Sequence, residues 1–232
     1  MGLVVAAVPD LPGHGRAPRP VPPHFAAWVH WVCERLRLAT APVHLIGYSM
    51  GGRLALAAAL AEARTGRVAS LTLLGAHPGL VDPYQRRERE AADARRAAEL
   101  EDGLMPFLDR WYRQPLFDPI CQTVGLETLV LRRRHGDPAT LAAALRSAGT
   151  GGMPNLRSGL PWLRIPVLTI AGTLDAKYVE LGEEIANAAP RGRFAAVEGA
   201  GHALLVEAPE RCARLWTEFV NEHAQPARTN HE

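Results

Sequence analysis

The stretch Val43 to Leu54, VHLIGYSMGGRL, constrains this chain more than any other: an apolar run ends in Gly47-Tyr48-Ser49-Met50-Gly51, and a second glycine leads into a helix-forming segment. The pattern G-x-S-x-G is that of a nucleophile elbow, in which a serine occupies a tight strand-to-helix turn and its hydroxyl is pushed out of the backbone. The glycines two before and two after the serine are expected where strand and helix nearly collide and no side chain fits. Tyr48 and Met50 are then free to be large. So short a pattern arises by chance, and its setting carries the argument. His44-Leu45-Ile46 reads as the end of a buried strand and Arg53 to Arg64 (RLALAAALAEAR) as a helix, which is where the mechanism requires the motif to lie.

Around the elbow, strand and helix signals alternate. Leu3 to Val8 reads as a short strand stopped by Pro9, and Asp10-Leu11-Pro12-Gly13-His14-Gly15 is turn chemistry in which His14 reads as a loop histidine. Phe25, Trp28, Val29, Val32 and Leu36 recur at helical spacing, which predicts an amphipathic helix over 23–39 packed on the sheet. Val68 to Leu74 is a nearly all-apolar strand of the kind found in parallel sheets covered on both faces, ended by His77-Pro78-Gly79. From Asp82 to Gly159 the period changes, and four charged helical stretches (85–101, 104–113, 125–134, 139–148) follow one another without a strand. Strands resume at Ile165 to Ala171 and Phe194 to Val197, separated by a helix over 179–189, and a last helix runs from Glu207 to His223. The expected organisation is an α/β doubly wound sheet built from residues 1–81 and 161–224, an inserted helical cap at 82–160 and a frayed tail at 225–232.

Composition narrows the function. A formal net charge of +2 over 232 residues gives no reason to expect nucleic acid or membrane as a partner, so the substrate question rests on local sites. All but one of the 26 basic residues are arginine, Lys177 being the exception, so a single Arg carries little information by itself. Cys33, Cys121 and Cys212 are odd in number and lack metal-ligand spacing, which suits buried thiols in a reducing compartment and implies no metal. No aliphatic run is as long as a membrane span, and the amino-terminal run lacks the flanks of a signal peptide, so a cytoplasmic location is the default expectation.

A serine hydroxyl becomes a useful nucleophile or base only when a histidine takes its proton, and that histidine needs a carboxylate to hold its tautomer. Asp175 and His202 each follow a predicted strand, where open α/β sheets place their sites. Singly, each has an ordinary reading: Asp175 as a helix N-cap, His202 as a turn residue, Ser49 as a loop serine. Together they make Ser49, His202 and Asp175 the catalytic candidates, with the Met50 backbone N–H as one half of an oxyanion hole.

These residues resemble the α/β-hydrolase superfamily through Asp10-Leu11-Pro12-Gly13-His14-Gly15, Gly47-Tyr48-Ser49-Met50-Gly51-Gly52-Arg53 and Gly199-Ala200-Gly201-His202 with Glu207 and Pro209. More specific runs resemble the 2-succinyl-6-hydroxy-2,4-cyclohexadiene-1-carboxylate synthases (the MenH family): His77-Pro78-Gly79-Leu80, Arg86-x-x-Arg89-x-x-x-Asp93, Trp111-Tyr112-x-Gln114-Pro115-x-Phe117, Leu129-x-x-Arg132 and Gly172-x-x-Asp175-x-Lys177-Tyr178. The resemblance implies an α/β-hydrolase fold and a lyase of menaquinone biosynthesis in which the triad serine acts as a base, pyruvate leaves, and no cofactor takes part. It implies a small polycarboxylate substrate, held by Arg53, Arg89 and Arg132 with Tyr48, Trp111 and Lys177 against it. Guanidinium groups suit that task because they bind carboxylates bidentately.

Members of that family normally begin with further strands and a His-Gly-containing loop that supplies the other oxyanion N–H, whereas here the sequence starts at what resembles the fourth strand. The strand expected to pair between Leu3 and Val43 is absent from the sequence, which predicts an unpaired apolar edge. Two other readings share the motifs: a carboxylesterase or thioesterase working through an acyl-Ser49 intermediate, and an inactive, truncated hydrolase-fold remnant. The sequence carries no indication of the oligomeric state.

Overall fold

The computed structural model describes residues 7–17 and 20–223. Its frame is a four-stranded sheet, all parallel, of β1 (Val43–Tyr48), β2 (Val68–Leu74), β3 (Val167–Gly172) and β4 (Gly192–Val197) in the order β1-β2-β3-β4. Every residue of β3 is buried, whereas β1, at the edge of the described sheet, is mostly half-buried, and Ile46 in it is 43% exposed. The edge position explains the difference, because β3 has a strand on either side and helices above and below.

Helix α1 (Phe25–Leu38) precedes β1, and α2 (Met50–Ala61) follows it. The alternation of side chains along β2 divides the core. Leu71 and Leu73 pack with Ala55, Leu56 and Ala59 of α2 and with Ile185 of α8 (Ala176–Ala188) on one face. Leu74, Leu168, Ile170 and Val197 pack with Phe219 and Val220 of α10 (Pro209–His223) on the other. In α1, Phe25, Trp28 and Leu36 are buried as their spacing predicts. The helix lies mainly on α2, with Cys33 and Leu36 reaching Ala58 and Val68, rather than flat on the sheet.

Between β2 and β3 the described chain is helical: α3 (Pro83–Asp102), α4 (Leu104–Tyr112), α5 (Asp118–Val124), α6 (Leu126–Arg133) and α7 (Pro138–Ala148), joined by short turns. Proline at the first helical position with aspartate before it starts two of them, the Asp82 side chain accepting from the Tyr84 N–H at 2.9 Å and Asp137 from Thr140 at 3.1 Å. This layer has its own core of Leu100, Leu104, Phe107, Leu108, Phe117, Ile120 and Leu129, and Ala203 from the sheet layer packs against it. Trp28, fully buried, ties α1 to α7 by donating its indole N–H to Ser147 Oγ at 2.9 Å.

Some expectations fall differently. The strand read at Leu3 to Val8 lies outside the described residues up to residue 6, and Ala7 and Val8 are not in a strand, Val8 being 86% exposed. The tail read at 225–232 also lies outside them. The closing helix is two helices, α9 (Leu204–Glu207) and α10, because Pro209 cannot continue the first through Ala208.

Candidate active site

Ser49 ends β1 and caps α2 with φ 49° and ψ −111°, and no other non-glycine among the described residues has a positive φ. Its N–H donates to Leu74 O at 2.9 Å and its carbonyl accepts from the Arg53 N–H at 3.1 Å, so strand and helix together hold the strained turn. A Cβ on Gly47 would meet the Gly51 carbonyl oxygen at 2.5 Å and Gly52 Cα at 2.8 Å, and one on Gly52 would meet Ala76 Cβ at 2.8 Å. Nothing lies within 4 Å of the corresponding point on Gly51. The close approach therefore involves Gly47 and Gly52, a correction to the symmetric expectation that Gly51 is equally confined.

His202 Nε2 lies 3.1 Å from Ser49 Oγ, and its Nδ1 lies 2.8 Å from Asp175 Oδ2. Asp175 and His202 are both buried. Asp175 occupies the N-cap position of α8, yet its carboxylate makes no capping hydrogen bond and turns to the imidazole instead. Gly75 makes room for that ring, since a Cβ there would meet His202 Cε1 at 3.0 Å. The imidazole is flanked by Tyr48, ring centroids 5.6 Å apart, and by Tyr178 at 4.5 Å. With Nδ1–H donated to the carboxylate, Nε2 faces Ser49 as the acceptor, the arrangement that proton transfer from the hydroxyl requires.

In front of Ser49 opens a cavity of about 850 Å³ between the sheet layer and the helical layer. Ser49, Tyr48, Met50, Arg53, Arg89, Trp111, Arg132 and His202 line it, so all but two of the sequence candidates meet there. Asp175 stands behind His202. Lys177 does not line the cavity: it is exposed, with its ammonium 5.9 Å from the Tyr178 ring, which corrects its expected place against the substrate. Met50, the first residue of α2, has a backbone N–H that no turn of its own helix can satisfy.

The arginines differ in their surroundings. Arg53 is only 9% exposed; its guanidinium donates to Ala148 O at 2.6 Å and touches Met153 Sδ at 3.9 Å, and no carboxylate among the described residues lies within ion-pair distance. Burial pushes its pKa down to about 10, which still leaves it a cation at neutral pH. Arg89 Nε is held at 2.8 Å by the buried Asp93, which also takes Arg96 at 3.3 Å. Arg132 is exposed at the cavity rim, and its neighbour Arg133 also lines the cavity. The charge of Arg133 lowers the pKa of Tyr48, although burial, the larger effect, raises it.

Several lining residues were not picked out as site residues by sequence reasoning. Arg133 stands beside Arg132 at the end of α6, is exposed as Arg132 is, and also lines the cavity, and nothing in its spacing sets it apart from Arg132. His14 and Asp10 reach the cavity from the Pro-Gly-His-Gly turn, and His14 is thus more than a loop histidine by position. Tyr178 stands in the first turn of α8, and only the packing of His202 against it reveals its place. Among the described residues no group of three or more His, Cys, Asp or Glu side chains could hold a metal ion.

A parallel sheet that carries a hydrogen-bonded Ser49–His202–Asp175 set at its carboxyl edge beneath a helical layer is the architecture of the α/β-hydrolase class. The alpha/beta hydrolase family model matches residues 2–215, and the chain belongs to that family. The 2-succinyl-6-hydroxy-2,4-cyclohexadiene-1-carboxylate synthase of Pectobacterium atrosepticum is 35% identical over 177 residues, 75% of this chain and 69% of that protein. The synthase of the same name from Salmonella heidelberg is 32% identical over 186 residues, 76% of this chain and 70% of that protein. A Bacillus subtilis relative is 38% identical over 184 residues, and the match spans 65% of its length. Among solved structures, MenH from S. aureus superposes with a TM-score of 0.85 at 29% identity, covering 93% of this chain and 83% of that one. No helix among the described residues is long and apolar enough to cross a membrane.

Proposed function

We propose that this chain is a carbon-oxygen lyase of menaquinone biosynthesis, which eliminates pyruvate from 5-enolpyruvoyl-6-hydroxy-2-succinyl-cyclohex-3-ene-1-carboxylate to give 2-succinyl-6-hydroxy-2,4-cyclohexadiene-1-carboxylate. The observation that carries the reading is Arg53: a buried cation on the wall of the Ser49 cavity that donates to a carbonyl and touches a thioether, with no carboxylate among the described residues within ion-pair distance. A desolvated guanidinium is costly without an anion, and a substrate carboxylate supplies one. Arg89 and Arg132 on the same cavity suit a substrate with three carboxylates. The similarity to synthases of that reaction at 32–35% identity supports the same chemistry.

In this mechanism Ser49 Oγ gives its proton to His202 Nε2 and takes a proton from the substrate ring carbon. The proton leaves the ring carbon that bears the succinyl group, its C–H electron pair forms the C2=C3 double bond, the existing C3=C4 pair shifts to C4=C5, and the C5–O bond to the enolpyruvoyl group breaks. Pyruvate departs as its enolate, is stabilised by the Met50 N–H, and takes on carbon the proton held by His202 Nε2, which restores the neutral imidazole. Asp175 keeps the Nδ1–H tautomer and stabilises the transient imidazolium. No acyl-enzyme forms.

The test is pyruvate release from the enolpyruvoyl substrate, followed by coupled reduction of pyruvate. The expected result is release by the 232-residue chain, a loss of about 10³-fold or more in Ser49→Ala, and a raised KM in Arg53→Ala. An unchanged KM and kcat/KM in Arg53→Ala would sink the reading. The same triad geometry also favours a second one, acyl transfer through Ser49, which predicts burst kinetics on activated esters.

A further inference from the structure

Tyr178 lies where the two halves of the site meet. Its ring packs 4.5 Å from the His202 imidazole at a 45° tilt, and 6.5 Å from His77 edge-on. The side chain lines the cavity in front of Ser49, and its phenol is close enough to Arg53 and Arg89 for both charges to act on it. Every other polar group around it is committed: His202 to Asp175 and Ser49, Arg89 to Asp93, His77 Nδ1 to the Gly79 N–H at 2.9 Å. The Tyr178 hydroxyl makes no hydrogen bond to any described residue, and the residue lines the cavity.

A hydroxyl of a cavity-lining residue with no partner among the described residues is a donor open to water or ligand. Burial raises its pKa, with the Asp175 carboxylate adding to the effect and Arg53 and Arg89 opposing it, so the group stays protonated and able to donate at neutral pH. A carboxylate offers about four acceptor positions, more than one guanidinium can fill. Arg53 has already given an N–H to Ala148 O, which leaves still more of them open.

We propose that Tyr178 is a substrate-contacting residue: its hydroxyl donates a hydrogen bond to the same carboxylate that Arg53 neutralises, while its ring holds that carboxylate's binding place next to His202. This rests on the polycarboxylate reading of the cavity and adds the group that selects a carboxylate oxygen over a merely anionic one. The ring fixes the distance between that carboxylate and the reacting serine, since one residue touches both the imidazole and the ligand.

The test uses propane-1,2,3-tricarboxylate as the probe, with its affinity measured by titration calorimetry on the 232-residue chain and on the variants Tyr178→Phe, Tyr178→Leu and Arg53→Ala, each checked for an unchanged melting temperature. Removing a hydrogen bond to a charged group weakens binding by roughly 10-fold or more, so Tyr178→Phe is expected to bind that much more weakly although it keeps the ring. Tyr178→Leu is expected to match it or bind more weakly still. Affinity of Tyr178→Phe within twofold of the unaltered chain, together with lost binding in Arg53→Ala, would overturn the proposal and leave the carboxylate reading standing. An absence of binding to the unaltered chain would overturn both.

Discussion

His77 provides a quantitative test of the environment beside the site. Its imidazole is 5% exposed, its Nδ1 accepts from the Gly79 N–H, and burial together with the positive charges of Lys177, Arg157, Arg53 and Arg89 pushes its pKa down to about 3. The unfolded chain returns it to about 6.5. Because the folded value is the lower one, the unfolded state binds the extra proton between the two, and stability present above pH 6.5 is lost as the pH falls towards 3. Integrating between these values, the loss from this one group is negligible at pH 7, about 2 kcal/mol at pH 5 and about 3 kcal/mol at pH 4. The assay is urea unfolding at pH 7 and pH 5 of the unaltered chain and of His77→Asn, whose amide oxygen can accept the Gly79 N–H but does not titrate. The unaltered chain is expected to lose about 2 kcal/mol more than the variant over this interval. Equal losses in the two proteins would refute the reasoning, because they would mean that His77 takes up its proton in the folded state.

Two further outcomes follow from the geometry. Gly47→Ala brings Cβ against the Gly51 carbonyl, backbone on backbone, and is expected to cost about 2–3 kcal/mol, roughly 5–10 °C in melting temperature, whereas Gly51→Ala sits on a helix with open space beside it and is expected to gain about 0.5–1 kcal/mol. Thermal melts of both variants decide this, and equal destabilisation would contradict the described elbow. Arg133→Ala is expected to raise KM by roughly 2- to 5-fold at low salt and less at high salt, as befits an exposed charge, and to do so more than Arg132→Ala, because the charge of Arg133 is the one that reaches Tyr48 on the cavity wall. Steady-state kinetics at two ionic strengths check it, and a larger effect from Arg132 would reverse the assignment.

Much of this protein is determined locally and could be read from the chain. The strand-to-helix turn at Ser49 follows from two glycines and the apolar run before them, and the all-buried β3 follows from an aliphatic stretch that only a covered parallel sheet accommodates. The helical layer between β2 and β3 is written in a change of period, and aspartate-proline pairs mark two of its helix starts. The candidates Ser49, Asp175 and His202 were legible because each follows a strand, and strand ends in an open α/β sheet converge.

What only the tertiary structure decided is which side chains meet. Asp175 has the sequence position of a helix cap, and its turn towards His202 depends on Gly75 leaving room for the imidazole from a different strand. Lys177 and Tyr178 are neighbours in the chain, yet one points to solvent and the other lies against His202 on the cavity wall, because successive helical residues diverge by about 100°. Arg53 and Arg89 carry the same charge in an arginine-rich sequence; Arg89 meets Asp93 one turn on along its own helix, whereas only packing decides that Arg53 is buried against the carbonyl of Ala148 and a cavity. Period and turn chemistry set each element, whereas contacts between residues far apart in the chain set the charge balance of the site, and no local pattern encodes that balance.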